Sequence, residues 1–295
     1  MRRLTLNLVL LLVVAGLGLA VWFSQEKTEQ GPPLTALSRE AIDSISVQHP
    51  GHPEIRLQKQ DGQWRLVAPI DAPTDPFEIN GILALVDLEA QSSLDASQVD
   101  RAELGLDPPG YTVTLNDQKI AIGGTEPIKY RRYVEVGAQI VLVDDPPSAA
   151  LDSDYSDLVS RRLLPENTAL KAIELPAFSI RKNQDGQWRS EQHPDVDPSR
   201  WLALVDGWRD ARAMWNGAQT PETELPDDPR RLRLIPESGE PVELLIAEDE
   251  TQLVLLRADW KVRYTLSKAL LNELFQPPAE PDEASESDRQ AGEAE

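Results

Sequence analysis

The chain opens on one long apolar block: Leu4 to Phe23 runs without a charge. As a helix rising ~1.5 Å per residue, a run of this length just crosses a ~30 Å hydrocarbon layer. Arg2 and Arg3 precede it and Trp22 stands near its far end, the positive-inside pattern with an aromatic at the interface. The pattern predicts a single transmembrane anchor over residues 1–23, with the N-terminus in the cytoplasm and the bulk of the chain outside it. Gly18-Leu19-Ala20 also resembles a cleavage site for a signal peptide. The apolar run is longer than the core of such a signal, which favours the uncleaved anchor, and both readings export the remainder.

Downstream the hydrophobic period changes from block to alternation. Residues 24–37 are polar and carry Pro32-Pro33, the composition of a short extended linker. Ile42 to Val47 and Ile55 to Leu57 then read as short strands, and Asp61-Gly62 is the dipeptide of a tight hairpin turn that returns through Trp64 to Val67. Asp75-Pro76 starts a helix, Asp as N-cap and Pro in the first turn, with Ile79, Ile82, Leu83, Leu85, Val86 and Leu88 on its apolar face. Four more strands follow: Tyr111 to Leu115, Lys119 to Ile122, Tyr130 to Val136 and Ile140 to Val143.

The pattern then repeats. Asp61-Gly62-Gln63-Trp64-Arg65 returns as Asp185-Gly186-Gln187-Trp188-Arg189, and Leu83-Ala84-Leu85-Val86-Asp87 as Leu202-Ala203-Leu204-Val205-Asp206. Two identical pentapeptides in the same order point to a duplicated unit. In the second copy Asp197-Pro198 opens the helix that carries Trp201, Leu202, Leu204, Val205 and Trp208, and strands are expected at Arg231 to Ile235, Val242 to Ala247, Gln252 to Leu256 and Arg263 to Leu266. Short closing helices are expected around Pro147 to Leu151 and over Lys268 to Phe275. The expected fold class is α+β: two tandem copies of a strand-rich antiparallel unit with one main helix each, over residues 38–165 and 166–276. Residues 277–295, rich in Pro, Glu, Asp and Ser, have too little apolar surface to order themselves and read as a disordered acidic tail.

Charge and composition narrow the chemistry. The formal net charge is -21, with no dense basic stripe, so the field repels phosphate backbones and nucleic acid is excluded as a partner. With no cysteine, disulfides, thiolate metal sites and cysteine nucleophiles are excluded as well. His49-Pro-Gly-His52 lies in a turn with no third ligand nearby, His193 stands apart, and neither the hydrolase nor the nucleotide-binding motifs occur. The carboxylate pairs, such as Asp144-Asp145 and Asp227-Asp228, sit in solvated loops, and Gly123-Gly124 reads as a turn. No catalytic residue, metal ligand or cofactor is therefore expected. Tyr130-Arg131-Arg132-Tyr133 and Arg161-Arg162 are the local basic pairs beside aromatics, with docking of an anion as one reading and solvent-facing strand positions as the plainer one. Trp201, Trp208 and Trp215 recur every seven residues, one helical side. A buried face accounts for most of such a stripe, and any exposed part of it is the candidate partner contact.

Several marks in order carry a resemblance. Trp64-Arg-Leu-Val-Ala-Pro69, the helix opened by Asp75, Glu103-Leu-Gly-Leu-Asp-Pro108, Lys119-Ile-Ala-Ile-Gly123, Arg132-Tyr-Val134 and Ser160-Arg-Arg-Leu163 resemble the bacterial family DUF4340, over roughly Ile42 to Arg189. The second copy departs from it, with Glu224-Leu-Pro-Asp-Asp-Pro229 where the GLDP stretch belongs. The resemblance implies a non-enzymatic envelope protein of the bacterial inner membrane, single-pass and mostly periplasmic. It also implies an auxiliary part of a gliding-motility-type ABC transport system, whose membrane subunits are then the expected partners. The alternative is a periplasmic binding module for a small molecule or a cell-wall fragment, seated between the two repeats.

Overall fold

The computed structural model describes residues 31–144, 151, 154–220, 229–248 and 252–278, with the isolated positions 14 and 16. The expected anchor, residues 24–30 of the linker and nearly all of the acidic tail lie outside the described residues. Among the described residues no helix is long and apolar enough to cross a membrane.

The architecture is mostly β, two antiparallel sheets carrying few helices. The first has nine strands in the order β4-β3-β2-β1-β6-β7-β8-β9-β5. Its strands are β1 (Ser44–Gln48), β2 (Ile55–Gln60), β3 (Gln63–Ala68), β4 (Ala72–Pro73), β5 (Ser92–Leu94), β6 (Tyr111–Leu115), β7 (Gln118–Thr125), β8 (Arg132–Val136) and β9 (Gln139–Val143). The second has eight, ordered β12-β11-β10-β14-β15-β16-β17-β13. These are β10 (Leu170–Glu174), β11 (Ser179–Lys182), β12 (Trp188–Arg189), β13 (Trp215–Ala218), β14 (Arg230–Pro236), β15 (Val242–Glu248), β16 (Gln252–Arg257) and β17 (Val262–Ser267). Matched in chain order, β10 to β17 follow the same spatial order as β1, β2, β3 and β5 to β9, with β4 an addition to the first sheet. A shared order in both sheets is what two copies of one strand-rich unit produce.

The helix of each copy lies between its third strand and its far edge strand. Helix α1 (Pro76–Leu83) starts where the sequence predicts: Asp75 Oδ1 accepts from the Phe77 N–H at 3.0 Å, and Ile79, Ile82 and Leu83 are buried. Helix α2 (Trp201–Asp210) packs on β10, β12 and α3 (Leu270–Leu274). One apolar core runs through both units, from Leu34 to Leu274, and crosses between them at Leu158, Val159, Leu163 and Leu164.

A smaller core lies on the opposite face of the first sheet. Along β7, Ile120 and Ile122 point into the main core while Ala121 points away, the period of a strand. Ala121 and Ile140 are covered there by Leu104 and Leu106, on the segment between β5 and β6 that holds the GLDP stretch. This contact corrects the reading of Gly123-Gly124 as a turn. Both lie within β7, at a register shift, and a Cβ on Gly123 would stand 2.5 Å from the Leu104 carbonyl oxygen. The strand needs glycine there because the covering segment passes directly over it.

The linker expected to reach residue 37 is also shorter than its composition suggests. Leu34 is buried, its N–H donates to Leu88 O at 2.7 Å, and Pro32 O accepts from the Ala90 N–H at 2.9 Å. A single leucine with a place in the core is enough to bind the stretch to the first unit.

Candidate functional site

The segment joining the units is itself a structural element. Its first half pairs with the first unit: Leu158 O accepts from Asp75 N–H (2.9 Å), Ser160 N–H donates to Pro73 O (2.8 Å), and Val159 bridges Thr74. Its second half pairs with the second unit: Arg161 O accepts from Ala213 N–H (2.8 Å), Leu163 N–H donates to Ala211 O (3.2 Å), and Arg162 bridges Arg212. Asn216 of β13 adds a buried side-chain bond, Nδ2 to Val159 O at 2.8 Å. The Tyr155 hydroxyl lies 3.1 Å from the carbonyl oxygens of both Trp260 and Lys261 and donates to one of them.

At the centre of this splice stands Asp75, 2% exposed. The residue that caps α1 through Oδ1 presents Oδ2 to two guanidinium groups, Arg161 Nε at 2.9 Å and Arg212 Nη2 at 3.1 Å. Arg161 then continues to the Met214 carbonyl at 3.3 Å. Burial pushes the Asp75 carboxyl upward, but the hydrogen bonds from Arg161 and the Phe77 N–H, with the charges of Arg161 and Arg212, outweigh it and hold the group below its ordinary value. Glu78, one turn along α1, goes the other way: burial raises it, against the charge of Arg161. Asp157 is likewise raised by burial, and further by Asp154.

Three large side chains on the segments that this clamp joins are exposed. Phe77 is 73% exposed, Trp215 46% and Met214 42%. Asp75 and Arg161 link the backbone of Phe77 in the first unit to that of Met214 in the second. Arg212, half exposed, stands beside Asp75.

The structure separates the three tryptophans read as one stripe. Helix α2 ends at Asp210, because Ala211 turns to an extended conformation (φ -53, ψ 128) to pair with the connector. Trp215 therefore sits on β13, at the edge of the second sheet. Trp201 and Trp208 are fully enclosed, the latter donating Nε1–H to Leu274 O at 2.8 Å, and neither offers a surface to a partner. Sequence reasoning passed over Asp75, Arg161 and Arg212 as a group. Asp75 showed only as a cap and Arg161 only as half of a basic pair.

On the other side of the connector lies an open cleft of about 500 Å³, lined by Arg162, Glu166, Asn167, Thr168, Ala169, Arg209 and Asp210. Asp210 bridges its two arginines, to Arg162 at 3.1 Å and Arg209 at 3.2 Å. The His49 ring nitrogen Nε2 is hydrogen-bonded to Leu151 O at 2.7 Å, and the His193 ring meets Phe178 edge-on. Among the described residues no group of three or more His, Asp or Glu is placed to hold a metal ion.

No curated protein and no solved structure matches this chain. A family model does, under the description "Domain of unknown function (DUF4340)", over residues 64–229. The match starts at the first tryptophan of the repeated pentapeptide, ends in the second unit, and takes in Asp75, Arg161, Arg212 and Trp215. With more than half of its length matched, the chain belongs to the DUF4340 family.

Proposed function

We propose that the chain is a non-enzymatic, membrane-anchored protein of the bacterial envelope. Its exported part binds other membrane proteins, and the subunits of an ABC-type transport system are the partners that the family resemblance favours. The observation that carries the reading is the exposure of Phe77, Met214 and Trp215 on the segments that the Asp75 clamp joins. Tryptophan and arginine are the side chains that dominate binding energy at protein interfaces, and here they stand on backbone already fixed by hydrogen bonds on both sides. A partner docking there meets side chains on preorganised backbone. The expected anchor fits the same reading, because it would hold the exported part at the membrane, where such partners lie.

Affinity purification of the full-length protein from its native membrane, followed by mass spectrometry, tests the assignment. Recovery of transporter subunits, reduced when Trp215 is replaced by alanine, is the expected result. Recovery of no membrane protein at native expression levels overturns it.

The cleft at Arg162, Arg209 and Asp210 supports a second reading, a binding module for a small polar ligand or cell-wall fragment. Its lining carries both signs of charge, which suits a zwitterionic or amide-rich molecule. A thermal-shift screen with glycans and peptides separates this reading from the first: stabilisation lost on Arg209→Ala favours it, and none counts against it.

A further inference from the structure

Among the described residues, the most exposed large apolar side chains outside the splice stand on the tip between β7 and β8. Ile128 is 79% exposed and Tyr130 73%, with Lys129 exposed between them. The tip is built rather than loose: Glu126 N–H donates to Arg131 O at 2.7 Å, Lys129 N–H donates to Glu126 Oε2 at 2.8 Å, and Tyr130 holds a φ of 56°. A left-handed backbone at a tyrosine is costly, and here it keeps the ring turned outward.

The tip also has a definite neighbour. Arg131 reaches the Gln91 side chain at 3.5 Å and Asp144 at 3.1 Å. Gln91 follows Ala90, whose N–H donates to Pro32 O, and Gly31 lies so close that a Cβ on it would meet the Ala90 carbonyl oxygen at 1.9 Å. The tip therefore flanks the point at which the chain arrives from its apolar N-terminal run. Residues 24–30 separate that run from Gly31, and seven residues reach at most about 25 Å even when fully extended.

We infer that Ile128, Lys129 and Tyr130 dip into the lipid head-group region of the bilayer that holds the N-terminal segment, and so fix the orientation of the first unit on the membrane. The inference rests on the anchored reading above. An aliphatic side chain, an aromatic ring with a polar end and a lysine able to extend its amine toward water form the combination that settles at a bilayer interface. The acidic charge of the chain as a whole makes attraction to anionic lipids a minor contribution, so the insertion is apolar in origin and persists on neutral lipid.

The absence of native cysteine makes the test direct. Full-length Ile128→Cys protein, labelled with a fluorophore and reconstituted in phosphatidylcholine vesicles, is compared with Ser238→Cys protein, labelled on the exposed β14–β15 turn. Both positions face solvent, and both variants should melt with the parent. The expected result is several-fold stronger quenching of the 128 label by nitroxides carried on the lipid chains, and weaker quenching by iodide, than at 238. Equal iodide quenching at both positions, with the protein floating with the vesicles, overturns the inference and leaves the anchor standing. Protection of the 128 label from iodide without quenching by the lipid probes points to a second copy of the chain at the tip, and also overturns it. Protein that does not float with the vesicles overturns the anchor and the inference together.

Discussion

The two copies contain the same ten residues in two identical pentapeptides, and the structure uses each pair differently. In the first copy Asp61 and Gly62 both take positive φ, 50° and 78°, and form the two-residue turn between β2 and β3. In the second, Gly186 alone of the pair does so, the loop runs from Asn183 to Gln187, and Asn183 Oδ1 accepts from the Gln187 N–H at 2.8 Å. Leu83-Ala-Leu-Val-Asp87 closes α1 as a tight 3-10 turn with Leu83 buried, while Leu202-Ala-Leu-Val-Asp206 lies inside α2 with Leu202 49% exposed. The helix caps differ most. Asp75 is enclosed between two arginines, whereas Asp197, in the open, accepts only from Ser199, through its N–H at 2.9 Å and its hydroxyl at 2.5 Å, and caps the 3-10 turn Pro198–Arg200 that leads into α2. Duplication supplies the scaffold twice, and the contacts made afterwards decide which copy carries the junction.

Substitutions in the two copies probe this difference. The largest effect is expected at Trp208, whose replacement by alanine empties a core site and releases the Leu274 carbonyl; a loss of about 3 to 5 kcal/mol should appear in denaturant unfolding. Next, Asp75→Ala removes a cap and leaves Arg161 without its anion in a half-buried setting. It should cost about 3 kcal/mol, and clearly more than Asp197→Ala, where an exposed cap is lost. Equal losses at the two positions would mean that the copies are joined by something other than the clamp. Smaller again, Gly123→Ala should cost about 1 to 3 kcal/mol by forcing the Leu104 segment off the sheet.

Acid should sharpen the same contrast. The Asp75 carboxyl lies below its unfolded value near 3.8, so its contribution is complete above that value and lost as pH falls through the lower, folded one. Glu78 and Asp157 are raised, so their ionisation costs stability at neutral pH and the cost is relieved as each takes up its proton. On acidification, stability should therefore hold or rise slightly and then fall below about pH 4 as the clamp opens. The Asp75→Asn protein should show a smaller final fall, since Asp95, Asp197 and Asp210 are also held below their ordinary value and still lose their contribution there.

How much of this was legible in the sequence follows the range of the forces involved. The hairpin turn, the Asp-Pro helix starts and the alternating strands are local, and the sequence shows them. The edge strands β5 and β13 are three and four residues long, with no alternation to betray them. Trp215 seemed helical because the spacing of seven from Trp208 continued past a helix that the connector had already ended. The clamp is the hardest to see, since Asp75 and Arg212 are 137 residues apart and only the pairing of the connector with both units brings them together. Leu34 was hidden in a polar stretch, and Gly123 was read by its turn propensity although its role is to leave room.

The measurement that bears most directly on the central claim is photo-crosslinking from position 215, with a benzophenone amino acid in place of Trp215 in cells that hold the full-length protein in their membrane, and the same substitution at Ser238 as the reference. The account predicts adducts with integral membrane subunits of a transporter from 215 and none from 238. Adducts from both positions alike, or from neither, would contradict it.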